Sequence, residues 1–342
     1  MEKALMQNGS IRIAAILLVS SSFFLSGCTN KGNNSINSVP TLTVGIQNSP
    51  SNALVIIADQ KKFFDSSLVK VTVQEFSAGK LALQAMLGNT NDIDAAVSAE
   101  TPVVLSSMGG NKLKVISEIV DANNEIRVVV RKDADLSTPV SYFSKKRKLA
   151  TSLGGSPEWS TFNFLKNNNI DKNNVEVVAM QPENMVPAIS NGAVDAIAIF
   201  DPYARMAEDG LGDQGQSFLN QDLKSYYVVS VKDTTLNKKG QALEAFLRGL
   251  IKAQDFIKSN PVEAKQIIAT RTKLDLNIVN ETWNTYNFQL SLDNDFLNLC
   301  NKESQWAITS GKYPTGTAIP NYSSILSPDL LKKIAPSAVS LK

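Results

Sequence analysis

The chain has 342 residues and a mass of 37.1 kDa, with 43% apolar and 19% charged residues. It is therefore long enough for two domains and apolar enough to bury a substantial core. Its 34 basic and 32 acidic residues leave a net charge of +2, which gives no electrostatic reason to expect nucleic-acid binding. The sequence holds no histidine, so Ser-His-Asp and Cys-His catalytic pairs and His-ligated zinc or haem are excluded.

Residues 1–27 read as a secretory signal. Lys3 and Arg12 supply the positive start, and the apolar stretch 13–19 is followed, after Ser20-Ser21-Ser22, by Phe23, Phe24 and Leu25. The apolar run is too short for a transmembrane span. The leader ends in Leu25-Ser26-Gly27-Cys28, which resembles the lipobox of bacterial lipoproteins. That resemblance implies a lipid on the Cys28 thiol. Cys300 is then left without an intrachain partner. Residues 28–40, rich in Asn, Ser and Gly, read as a flexible tether.

From Thr41 the pattern alternates. Strands are predicted over 42–46, 69–76, 93–97, 113–120 and 126–130, with helices over 53–64, 81–87 and 103–108. The alternation restarts after Pro139, with strands at 148–153, 175–180 and 196–200 and helices at 161–168 and 186–190. A β run at 226–231 follows, then helices over 241–259, 262–270, 276–290 and 296–310. Such alternation predicts an α/β fold with largely parallel sheets covered by helices. The stretch Asp92-Ile93-Asp94-Ala95-Ala96 leading to Thr101-Pro102 is echoed by Ala193-Val194-Asp195-Ala196 leading to Asp201-Pro202, as two lobes built on one element would give.

Several predicted strands end in a capping residue beside proline or a small residue: Ser49-Pro50, Ser77-Ala78-Gly79, Thr101-Pro102, Ser156-Pro157 and Asp201-Pro202. Ser, Thr and Asp accept from the free N–H groups of a first helical turn, and proline suits its first position. In open parallel sheets these helix starts face the ligand crevice, so they also form a possible anion cradle. Gly154-Gly155-Ser156 permits close backbone approach but lacks the ending of a Walker loop. Trp159 is either a cleft aromatic or a core residue, and Glu100 is either a solvated carboxylate or a partner for a ligand amine.

Taken in order, the opening strand TLTVGIQ, Phe63-Phe64, Phe76 to Gly79, Gly88, Asp92, Asp94, Ser98-Ala99-Glu100-Thr101-Pro102, Gly192 to Ala196 and Phe200-Asp201-Pro202-Tyr203 resemble the substrate-binding proteins of ABC importers for sulfonate, taurine and nitrate. The likeness covers roughly residues 41–231. It implies a type II two-lobe clamshell of the periplasmic-binding-protein kind, with two crossing hinge strands at 126–133 and 226–233. Lobe I would comprise 41–128 and 229–342, and lobe II 129–228. The implied ligand-binding residues are Gln47, Asn48, Ser77, Gly79, Ser98, Glu100, Thr101, Gly155, Ser156, Trp159 and Asp201.

The resemblance further implies a monomeric, non-enzymatic protein without a cofactor or metal, anchored by lipid on the extracytoplasmic face of the membrane. It would hand a small sulfonate- or taurine-like solute to a permease and its ATPase. Glu100 stands where the alkanesulfonate branch has Asp, and Glu158 adds a carboxylate to a helix start, so an anionic ligand is in tension with these residues. A thiamine-precursor pyrimidine, nitrate or bicarbonate as ligand, and a ligand-sensing lipoprotein, are the alternatives. The pyrimidine synthases of similar fold carry a cysteine-rich motif and an internal histidine, both missing from this sequence.

Overall fold

The computed structural model describes residues 39–88, 90, 92–133, 137–220 and 223–341. The segment expected to be a signal peptide, Cys28 as the expected lipidation site, and most of the expected tether lie outside the described residues. Residues 39–342 form one compact unit.

The first sheet begins with β1 (Thr41–Gln47), whose side chains are buried from Val44 on. Helix α1 (Ala53–Gln60) returns the chain to β2 (Lys70–Phe76), and α2 (Gly79–Leu87) carries it to β3 (Ala95–Ala99). Helix α3 (Glu100–Met108) then leads to β4 (Lys114–Asn123). The chain now enters a second sheet through β5 (Ile126–Arg131). That sheet is completed by α4 (Pro139–Tyr142), β6 (Arg147–Thr151), α5 (Ser156–Asn167), β7 (Val175–Ala179), α6 (Pro182–Ser190), β8 (Ala196–Phe200), α7 (Tyr203–Leu211) and β9 (Gly215–Leu219). The return strand β10 (Lys224–Val231) rejoins the first sheet. Helices α8 (Asp233–Ser259), α9 (Pro261–Thr272) and α10 (Leu276–Thr282), the short strand β11 (Tyr286–Asn287), and helices α11 (Asn294–Thr309) and α12 (Asp329–Ile334) finish the chain.

The strand orders are β11-β4-β10-β3-β1-β2 and β7-β6-β8-β5-β9. In each sheet three parallel strands meet one antiparallel strand, β10 in the first and β5 in the second. The repeated Asp-Ala segment occupies the same place in both. Asp94 precedes β3 and accepts from Thr43 N at 2.9 Å, and Asp195 precedes β8 and accepts from Lys148 N at 2.8 Å. Both faces of the second sheet are covered, and its strands alternate accordingly. Ile197 and Ile199 pack with Met185 and Ile189, while Ala196 and Ala198 face Tyr142, Phe143 and Phe164.

Two passages join the sheets. Strand β4 runs into β5 through Asn124-Glu125, and β9 runs into β10 through residues 220–223. All of β5 pairs in the second sheet and all of β10 in the first. The boundaries expected at 128/129 and 228/229 therefore fall inside β5 and inside β10. The helix expected over 276–290 stops at Thr282, because Tyr286 and Asn287 pair with Ala122 and Asp121 of β4.

Candidate functional site

The two sheets present their helix starts to one another across a cleft. A small cavity of about 30 Å³ remains there, lined by Gln47, Gly79 and Lys80 from one side and Ser152, Gly155 and Ser156 from the other. Phe200, Tyr227 and Glu125 also line it. Such a volume holds a water or two and no larger solute, so any ligand enters only when the lobes part.

Direct contacts hold the lobes together. Ser156 Oγ on α5 donates to Glu100 Oε1 on α3 at 3.0 Å. Lys80 Nζ on α2 donates to Ser152 Oγ at 2.9 Å and to the Leu153 carbonyl at 2.8 Å. Lys312 pairs with Glu158 at 2.8 Å. That carboxylate also accepts from Gly154 N at 2.7 Å, so Glu158 is spent on its own turn and on Lys312.

The helix starts differ from the sequence expectation in one respect. The residue at the cap position is Ala78 for α2, Ala99 for α3 and Gly155 for α5, and none makes a side-chain cap. Ser49 does cap, accepting from Ser51 N at 3.3 Å. Of the hydroxyls expected to cap, two are instead turned onto buried acids. Thr101 Oγ1 donates to Glu303 at 3.0 Å, and Ser156 donates to Glu100. The first-turn N–H groups of α2 and α5 thus lack side-chain caps at the cavity edge, where the positive helix ends favour negative charge.

Three buried carboxyls surround this region. Glu100 is 1% exposed and accepts from Tyr226 N at 2.7 Å as well as from Ser156. Burial pushes its carboxyl up, and these donors pull it partly back. Glu303 on α11 is raised well above its ordinary value by burial and then by Glu100. Glu125, in the first hinge passage, is raised to about 8, mainly by burial. Its Oε2 accepts from Tyr227 Oη at 2.9 Å, and the buried Ser225 hydroxyl also donates to the carboxyl.

The expected site residues divide. Gln47, Gly79, Gly155 and Ser156 line the cavity, and Glu100 reaches it through Ser156. Gly79 is needed for space, since a Cβ there would meet Ser98 Cα at 3.0 Å. Ser98 itself is buried, and its Oγ donates to the Ala99 carbonyl at 3.2 Å. Thr101 is committed to Glu303. Ser77 is exposed, and Asn48 lines a groove beside Gln60 and β2. Asp201 is held by Arg127 in a bidentate pair at 2.6 and 2.9 Å and lies outside the cavity lining. Trp159 packs on Trp306 with ring centroids 5.4 Å apart and is likewise outside that lining.

Glu125, Tyr227, Lys80 and Ser152 were not anticipated. For Glu125 a signal existed: it is an acid placed immediately before the apolar run of β5, at the short turn Asn123-Asn124 that follows β4's apolar run.

This arrangement is the two-lobe clamshell of the periplasmic-binding-protein class. The alkanesulfonate-binding protein SsuA of Xanthomonas axonopodis pv. citri, solved bound to MOPS, superposes with a TM-score of 0.72 at 17% identity, covering 84% of this chain and 98% of that one. The chain belongs to the NMT1-like family, whose model matches residues 37–272. It is 22% identical over 267 residues to a protein of Brachyspira hyodysenteriae named as an ABC transporter periplasmic binding protein, covering 74% of this chain and 76% of that one. It is 25% identical over 193 residues to a Bacillus subtilis protein named for binding aliphatic sulfonates, covering 55% and 56%.

Proposed function

We propose that the chain is the solute-binding component of an ABC importer and that its cleft captures a small zwitterion carrying an amine and an acidic group. The observation that carries this reading is Glu125, a buried carboxyl that lines a cavity flanked by two helix starts without side-chain caps. An amine donates to Glu125 in a charge-assisted hydrogen bond. An acidic group accepts from the N–H groups of α2 and α5. A zwitterion suits the cavity because its amine would hold Glu125 ionised, whereas a plain anion would need Glu125 to stay protonated and donate its O–H to it. A taurine-like aminosulfonate has both groups.

The solute closes the lobes by its greater affinity for the closed form, and the closed face is what a permease would engage. The names of the relatives and the leader ending in Cys28 support an extracytoplasmic, lipid-anchored protein that works without catalysis. Among the described residues no helix is long and apolar enough to cross a membrane.

A second reading has a specific observation in its favour. Phe200 and Tyr227 also line the cavity, and their rings would flank an aminopyrimidine whose N–H donates to Glu125.

The test is a melting-temperature scan of the refolded protein against taurine, alkanesulfonates, nitrate, bicarbonate and aminomethyl-pyrimidines. Ligand at a hundred times its Kd stabilises by about 2.7 kcal/mol. A rise with taurine that disappears in Glu125→Gln supports the zwitterion. A rise with an aminopyrimidine alone moves the assignment to the second reading. Equal rises with taurine and simple alkanesulfonates, unchanged in Glu125→Gln, overturn the role of Glu125. No rise with any of them overturns the assigned ligand class.

A further inference from the structure

Trp159 belongs to a different cavity. A groove of about 680 Å³ runs along the seam between the lobes, outside the cleft. Helix α5 contributes Trp159, Phe162 and Lys166, and α11 contributes Trp306 and Lys302, with Tyr226 of β10 between them. The volume is that of an ordinary small-molecule site.

Its walls are aromatic. Trp159 and Phe162 are nearly parallel, at 14° and 6.3 Å, and Trp306 tilts against both. Trp159 is 7% exposed, yet its Nε1 has no hydrogen-bond partner among the described residues. A buried indole N–H without an acceptor is costly and uncommon. The rim is basic. Lys166, Lys224 and Lys302 line the groove against a single carboxylate, Asp295. Lys224 is paired with Asp121 at 2.9 Å, whereas Lys166 and Lys302 have no ion-pair partner among the described residues.

We propose that this groove is a second ligand site that takes a planar aromatic anion and bridges the two lobes. The ring lies against Trp306 and Phe162, and the anionic group is shared by Lys166 of α5 and Lys302 of α11. The Trp159 Nε1–H is closed off by the surrounding side chains in this structure, and an acceptor on the ligand satisfies it once the rings shift to admit the ligand. This site uses none of the residues assigned to the cleft, so it stands or falls independently of the solute bound there.

The experiment is calorimetric titration of the full chain with naphthalene-2-sulfonate. It is repeated on Lys166→Gln/Lys302→Gln, both exposed positions where substitution leaves the packing intact, and on Trp159→Phe, which keeps an aromatic ring but removes the N–H. The double lysine variant removes both charge-assisted contacts and is expected to weaken binding about a hundredfold, about tenfold for each. Trp159→Phe is expected to weaken it about threefold for the lost neutral donor. Far-ultraviolet circular dichroism and melting temperature establish that each variant is folded. Equal affinity in the wild type and the lysine variant means that the probe sits elsewhere and overturns the proposal. So does the absence of binding heat at millimolar probe.

Discussion

Ser156 and Glu100 join the two lobes through one hydrogen bond of 3.0 Å, with the hydroxyl on the first residue of α5 and the carboxyl on the first residue of α3. Both side chains are buried, at 4% and 1% exposure, so the bond is made where water cannot replace it.

Ser156→Ala removes this donor from a buried carboxyl, whose remaining side-chain neighbours are Glu303 and the long 3.4 Å contact from Thr101 Oγ1. Loss of a buried partner costs about 1–3 kcal/mol. A lowered midpoint in urea unfolding at unchanged slope is the expected outcome. Because Ser156 also lines the cavity, solute affinity should fall with it. A variant as stable as the wild type would mean that the lobes do not rest on this contact.

Glu125 predicts a pH dependence. Its carboxyl is raised in the folded protein from 4.5 to about 8, chiefly by burial. Between these values the folded state holds a proton that the unfolded state has lost, so stability present below about pH 4.5 declines as pH rises toward 8. Glu118 contributes in the same direction, being raised to about 7 by burial. Glu125→Gln should therefore flatten the fall in melting temperature between about pH 5 and pH 8 without abolishing it. A profile parallel to the wild type would place Glu125 in a more polar setting than this one.

Much of the architecture was legible from periodicity. The apolar runs at β1, β3, β8 and β10 are strongly patterned, and the Asp-Ala echo does mark equivalent strands in the two sheets. Strand β9 was not legible because Gly215-Gln216-Ser217-Phe218-Leu219 is short and carries one buried apolar side chain, Phe218, and its strand pairing is with β5 alone among the described residues. The site was harder to read. Whether a hydroxyl caps a helix depends on a shift of one or two residues, and Ala78, Ala99 and Gly155 took the cap positions from Ser77, Thr101 and Ser156. Thr101, Ser156 and Trp159 then found partners in Glu303, Glu100 and Trp306, which no local pattern relates to them.

Asp201 is assigned a structural role, and this is separable from ligand binding. Its carboxylate is 1% exposed, and Arg127, which grips it, also donates to Glu208 at 2.8 Å. Removing one member of a buried ion pair costs about 3–5 kcal/mol, because the other charge stays buried. Glu208 remains to offset part of that for Arg127, so Asp201→Asn should fall at or below the lower end. The expected result is a clear loss of melting temperature with solute affinity unchanged in the protein that remains folded. Loss of affinity at undiminished stability would return Asp201 to the cleft.

The paired aspartates offer a comparison in which burial decides the order. Asp94 and Asp195 each accept from the backbone N–H of the first central strand of their sheet, Thr43 on β1 and Lys148 on β6. Asp94 is 14% exposed and is also gripped by Lys239 Nζ at 2.7 and 2.8 Å. Asp195 is 39% exposed, and its nearest cation is Arg147 at 3.8 Å. Solvent screens the second arrangement more than the first. Asp94→Ala is therefore expected to cost about 2–3 kcal/mol and Asp195→Ala about 1 kcal/mol. Denaturant titration of both variants measures the difference, and an equal cost would show that the backbone cap alone, and not the lysine behind Asp94, carries the effect.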